Sequence, residues 1–144
     1  MSDRPIRTII ANQEIATASS SMSVLDAARV MKQKRTGALL VCDKRRLVGV
    51  FTERDALFRV TAEGRDPDST LLAEVMTPHP QTIGPDKPLG HALHMMYEGG
   101  FRNVPVVENG RPIGMVSARD ALGPELKEFV LEMDEREHIA EILG

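Results

Sequence analysis

Apolar residues recur with helical spacing at two places along this chain, and the two places match. Val24, Ala27, Ala28 and Met31 fall at i, i+3, i+4 and i+7, and so do Leu89, Ala92, Leu93 and Met96. That period lines one face of an amphipathic helix with core-facing groups. Two short apolar runs follow each helix: Ala38 to Cys42 with Leu47 to Phe51, and Val104 to Val107 with Pro112 to Val116. A polar turn, Asp43-Lys44-Arg45-Arg46 or Glu108-Asn109-Gly110-Arg111, divides each pair, so each reads as a β-hairpin. Ahead of each helix stands a short extended segment, Ile15 to Ala18 or Gln81 to Ile83, which leads in through Ser19-Ser20-Ser21 or Gly84-Pro85-Asp86.

Set against itself at an offset of 65 residues, the chain is a repeat without gaps. Thr17/Thr82, Ala27/Ala92, Met31/Met96, Val41/Val106, Gly49/Gly114, Arg54/Arg119 and Asp55/Asp120 are among the identical pairs. Each copy reads as β-α-β-β-α, an α+β pattern. Two copies are too few for a solenoid and suggest two halves packed face to face. Matching lead-ins, Ile6 to Asn12 and Leu71 to Thr77, precede the copies, and the turn-rich Gly64 to Ser69 separates them. The expected organisation is a first repeat with its lead-in over 1–64, a linker and second repeat over 65–123, and an acidic amphipathic helix over 124–144.

The longest match is Gly49-Val50-Phe51-Thr52-Glu53-Arg54-Asp55-Ala56-Leu57 against Gly114-Met115-Val116-Ser117-Ala118-Arg119-Asp120-Ala121-Leu122. Each is a strand that ends at a hydroxyl and turns directly into a helix. In one reading, Thr52 and Ser117 are N-caps, and Asp55 and Asp120 complete approximate capping boxes. In the other, the turn is an anion site: helix N–H groups, the hydroxyl and the guanidinium face a phosphate while the carboxylate accepts from a sugar hydroxyl. For a single copy the capping reading has the greater weight, and duplication in register lowers it.

Composition narrows the function. Charged residues make up 27% and hydrophobic ones 42%, enough for one core or two small halves that share one. Aromatic residues make up only 3%, with no Trp, too few for stacking single-stranded nucleic acid. The net charge of −3 is uneven, because residues 124–144 hold seven acids against Lys127 and Arg136. The remainder is near neutral and offers no broad footprint for a nucleic-acid backbone. Cys42 is the single cysteine, in an apolar run, and reads as a buried small hydrophobe. With neither a signal-like N-terminus nor an apolar run of membrane-spanning length, the expectation is a cytoplasmic protein.

The ordered set of motifs resembles a pair of cystathionine-β-synthase (CBS) domains, also called a Bateman module. Val75-Met76-Thr77, Thr82-Ile83, Gly100-Phe101-Arg102-Asn103-Val104-Pro105-Val106-Val107 and the two Gly-x-x-Thr/Ser-x-Arg-Asp endings carry the resemblance, over roughly residues 6–122. It implies two tandem repeats related by a pseudo-twofold axis, and a regulatory module that takes AMP, ADP, ATP or S-adenosylmethionine as a regulatory ligand in two clefts, with no obligatory cofactor. Carried over by position, Asp55 and Asp120 would hold ribose hydroxyls, and Thr52, Arg54, Ser117 and Arg119 would face phosphates. Thr17-Ala18 and Thr82-Ile83 would wall the adenine, and Arg102, just before Val104-Pro105, would be a basic phosphate ligand. The resemblance also implies a homodimer and a regulated partner protein.

Copy one departs from the pattern, with Gly37 in place of Arg102 and Leu40 in place of Pro105. One lost charge-assisted phosphate contact is worth about 1.5–3 kcal/mol, so the expectation is two unequal sites with the second tighter for phosphates. In the tail, Leu126, Phe129, Val130 and Met133 repeat the helical spacing, as a cap on the core or a partner surface. His91 and His94 lack further ligands at metal-site spacing, and no nucleophile elbow or Walker loop supports an enzyme. Two other readings stay open: an interaction module whose turns are only caps, and nucleic-acid binding, which charge and aromatic content disfavour.

Overall fold

The computed structural model describes residues 4–123 and 131–136. The predicted C-terminal helix falls mostly outside them; residues 131–136 are helical, and Leu131 is exposed.

The amphipathic spacing produces two long helices of equal length, α2 (Val24–Lys34) and α5 (Leu89–Gly99), with Val24, Ala27 and Met31 buried on one and Leu89, Ala92 and Met96 on the other. The Ser23 hydroxyl starts α2 by accepting from the Asp26 N–H at 3.1 Å. Each helix leads into a hairpin: β2 (Ala38–Asp43) with β3 (Arg46–Thr52), and β5 (Asn103–Glu108) with β6 (Arg111–Ser117). The hairpins share a fine detail, since both slip register one step after equivalent residues, at Val41/Cys42 and Val106/Val107.

The two-residue loops are Lys44-Arg45 and Asn109-Gly110, and all four residues have positive φ. Asn-Gly suits that turn, whereas Lys44 and Arg45 pay the Cβ penalty of the left-handed region. Arg45→Gly is therefore expected to raise stability by about 1 kcal/mol, read as a higher urea midpoint at unchanged slope.

In the first half, β1 (Thr17–Ala18) runs parallel to β2, and β4 (Thr77–Pro78) runs antiparallel to β3, giving a sheet of order β1-β2-β3-β4. Among the described residues the second half has β5-β6, with Ile83 forming a parallel bridge to Val106. No strand equivalent to β4 lies beside β6 among the described residues. Instead the Gln13 side chain does a strand's bonding, donating to the Met115 carbonyl at 2.8 Å and accepting from its N–H at 2.7 Å.

The lead-ins form short helices, α1 (Ile6–Ile10) and α4 (Leu72–Val75), and each packs into the half it does not precede. Ile6 and Ile10 are buried with Ile83, Leu89, Val104 and Val116, while Leu72 and Val75 are buried with Val24, Leu39, Phe51 and Val60. Backbone bonds fix the exchange: Ile6 N–H reaches the Lys87 carbonyl at 3.0 Å, and Leu72 N–H reaches that of Met22 at 2.9 Å. The exchange ties the two cores together.

The closing helices diverge. Copy one has α3 (Glu53–Asp55), which widens into a π-helix over Ala56–Thr61 and buries Val60, whereas copy two turns after Ser117 into a 3-10 stretch over Ala118–Ala121 with none of these four residues buried. The widening shows in two i to i−5 bonds, Ala62 N–H to the Leu57 carbonyl and Arg65 N–H to that of Val60.

Beside β1, the Ser20 hydroxyl and N–H both donate to the Asp43 carboxylate and hold its pKa below the usual carboxylate value. A lowered folded pKa adds stability above the unfolded value of about 3.9, and the gain is lost as pH falls through the folded value. Asp43→Asn should flatten the stability profile below about pH 4, as followed by thermal melts.

Candidate functional site: two clefts at the strand-to-helix turns

The duplicated turns open onto two clefts on either side of the seam between the halves. The Asp55 cleft, of about 1140 Å³, is bordered by Thr52, Arg54 and Asp55 from copy one, and by His79, Gln81, Phe101 and Arg102 from beyond the linker. The Asp120 cleft, of about 700 Å³, is bordered by Ser117, Arg119 and Asp120, and by Gln13 to Ala16 and Thr36 to Ala38 of copy one. Each turn therefore faces the entry segment and hairpin start of the other copy.

At the first turn the capping box is complete. Asp55 N–H donates to Thr52 Oγ1 at 3.1 Å, and Thr52 N–H donates to Asp55 Oδ2 at 3.0 Å. The second oxygen, Oδ1, lies 3.5 Å from Arg59 Nε, one helical turn on. Asp55 is only 9% exposed, so its carboxylate is held in place rather than swinging in solvent. Arg59 also donates to the Val75 and Met76 carbonyls at 3.2 Å, fixing its guanidinium at the edge of the cleft. Beside it the Arg54 guanidinium lies over the Phe58 ring, 5.2 Å from the centroid.

At the second turn, Ser117 N–H donates to Asp120 Oδ2 at 2.7 Å, and the Ser117 hydroxyl lies 3.4 Å from the same oxygen. Arg4 grips the turn from behind through the Asp120 carbonyl at 2.6 Å. The four-residue 3-10 turn offers little macrodipole, so the anion-site argument made for both turns rests here on side chains.

The structure brings Thr52, Arg54, Asp55 and Arg102 together in one cleft, and Ser117, Arg119, Asp120 and Arg102 in the other. It does not put Thr17, Ala18, Thr82, Ile83 or Pro105 on either lining. Ala18, Ile83 and Pro105 are buried among core side chains, and the residues just before the two named segments, Ile15-Ala16 and Gln81, take the wall positions.

The expected charge difference between the sites also changes, because its premise was that each cleft belongs to one copy. Arg102 and Gly37 border both. The Asp55 cleft has three arginines against two carboxylates, and the Asp120 cleft has Lys34, Arg35, Arg102 and Arg119 against three carboxylates.

Residues missed by the sequence reading are Arg59, Phe58, Phe101, Lys34 and Arg35. The i, i+4 spacing of Asp55 and Arg59 was a readable signal. The others depend on which copies face each other.

Sequence comparison matches the CBS domain at residues 6–62 and again at 72–123, the two copies of the repeat. The chain belongs to the CBS domain family. Among its relatives is the CBS domain-containing protein CBSCBSPB3 of Arabidopsis thaliana, 39% identical over 107 residues, 74% of this chain and 19% of the plant protein. The chain thus spans about a fifth of that relative's length.

A solved protein with CBS domains from Burkholderia ambifaria is 30% identical, with a TM-score of 0.76, and the match covers 81% of this chain and 89% of that one. The CBS domain pair of protein MJ0100, in complex with 5-methylthioadenosine and S-adenosyl-L-methionine, is 26% identical with a TM-score of 0.73, covering 81% and 91%.

Within this CBS pair, no helix among the described residues is long and apolar enough to cross a membrane. Nor do the described residues include a cluster of three or more potential metal ligands; His94 pairs instead with Glu98 at 2.9 Å.

Proposed function

We propose that this CBS pair is a regulatory module that binds an adenosine-containing ligand, AMP, ADP, ATP or S-adenosylmethionine, in the two clefts and changes its arrangement or assembly in response. The observation that carries this reading is the crossed construction of the clefts, each with a positioned aspartate and several guanidiniums. A ligand spanning the aspartate and the opposite wall touches both halves at once. It therefore binds one relative arrangement better than another, which is what a ligand-driven shift requires. The adenosine ligands of the MJ0100 pair support the chemical class.

In this reading Asp55 and Asp120 accept from ribose hydroxyls, Arg54, Arg102 and Arg119 meet phosphates, and Ala16 and Gln81 flank the base. The clefts, of about 1140 and 700 Å³, are ample for a nucleoside phosphate. Exposed Leu57, Phe58, Tyr97 and Leu122 give the assembly an apolar surface to cover, in keeping with a cytoplasmic homodimer that presents its state to a partner protein.

The test is a thermal-shift titration of the full chain with AMP, ADP, ATP, S-adenosylmethionine and GTP. At a hundred times its dissociation constant, the physiological ligand adds about 2.7 kcal/mol of stability. A melting temperature that none of the adenosine ligands moves would refute the reading.

A further inference from the structure

The 65-residue repeat is broken at the seam between the clefts. Glu53 N–H donates to the Gly37 carbonyl at 2.9 Å, and the equivalent bond runs from Ala118 N–H to the Arg102 carbonyl, also at 2.9 Å. On the copy-one side this pair supplies a carboxylate and no second side chain; on the copy-two side it supplies a guanidinium and a methyl group. The end of the Glu53 side chain lies beside Gly37, where a Cβ would be 2.9 Å from Glu53 Oε1.

Arg102 and Glu53 each border both clefts. Both are exposed, and neither side chain has a hydrogen bond or ion pair with another of the described residues. A strict repeat with arginine at both positions would supply one such group per cleft. This chain has one for two.

We propose that Arg102 is a single phosphate-binding group shared by the two clefts, so that a phosphate-bearing adenosine ligand in one lowers the affinity of the other for a second. The inference rests on the adenosine-ligand reading and concerns how its two sites are regulated. A guanidinium is a planar fork of donors that engages one phosphate at a time. Once Arg102 turns toward the first phosphate, the second cleft lacks that donor and still faces the Glu53 carboxylate, which repels an incoming anion. Couplings of this kind typically lie between roughly 5-fold and 150-fold and are reciprocal.

Stepwise calorimetric titration of the full chain with AMP and with adenosine, the same nucleoside without phosphate, tests this. Sharing predicts two AMP steps whose constants differ by at least about fivefold more than those for adenosine. Two adenosines but one AMP per chain is the same result in its limiting form. Equal step ratios for the two ligands would overturn the sharing and leave the adenosine reading standing; no binding of either would overturn both.

Two cleft variants then separate sharing from a cleft that is simply weak. Asp55→Ala and Asp120→Ala each leave one working cleft, and sharing requires that each remaining cleft bind AMP more tightly than the second step of the wild type. A remaining cleft whose affinity merely equals that second step contradicts the proposal.

Discussion

Leu72→Ala is expected to destabilise the protein by about 2–5 kcal/mol, the range for emptying a fully buried leucine site. Leu72 is 0% exposed and packs among Val24, Leu39, Phe51 and Val60, yet in sequence it belongs to the lead-in of the second copy. Its neighbours cannot close over the gap easily, because the chain on both sides is anchored: Leu72 N–H is bonded to the Met22 carbonyl at 2.9 Å, and Ala73 N–H to that of Ser20 at 2.9 Å. The mirror experiment is Ile6→Ala in the other core, where Ile6 is also 0% exposed. Because the lead-ins are exchanged, each variant should lower the stability of the whole molecule in one cooperative urea transition. Two separated transitions, or a loss below about 1 kcal/mol, would show that the exchange does not hold the halves together.

Arg102→Ala carries the second large effect. Removing a charge-assisted contact to phosphate costs about 1.5–3 kcal/mol, which is a roughly 10-fold to 150-fold loss of affinity for AMP. Adenosine, with no phosphate, should bind the variant within about twofold of the wild type. Because the guanidinium is exposed and has no partner among the described residues, the substitution should leave thermal stability without ligand nearly unchanged. Calorimetry with the two ligands reads the difference directly, and equal losses for both would assign Arg102 to the base or ribose rather than the phosphate.

Much of this architecture was legible in the pattern of residues. The spacing of Val24 to Met31 and Leu89 to Met96 fixed both long helices. The polar tetrapeptides placed both hairpin turns at the residues found, because a two-residue loop with opposed apolar runs has few alternatives. The Thr/Ser-x-x-Asp turns were legible for the same local reason.

What sequence did not disclose is non-local. Nothing in Ile6-Arg7-Thr8-Ile9-Ile10 says which of two similar cores it enters, since either offers a helix face and a hairpin of matching size. The pairing of each turn with the opposite wall follows from that exchange, and so does the double duty of Arg102. The burial of Ala18 and Ile83 has a related cause. Ala18 and Ile83 make parallel contacts with β2 and β5 and are buried in the two cores, while Thr17 is exposed and the preceding residues border the clefts. The π-widening after Asp55 and the 3-10 turn after Ser117 likewise arise in segments that share Arg-Asp-Ala-Leu but differ at Glu53/Ala118 and again beyond Leu57 and Leu122.

The two aspartates act as capping groups, and that role alone would be enough to account for their position. The decisive measurement is therefore on the double variant Asp55→Ala/Asp120→Ala, whose melting temperature is followed with and without the ligand that stabilises the wild type. Loss of two capping interactions lowers the basal stability by about 2 kcal/mol. The account predicts that the variant still folds cooperatively and that its ligand-induced shift disappears. A variant that melts earlier but keeps the full shift would mean that the aspartates are caps alone and that the ligand, if it binds, does so elsewhere.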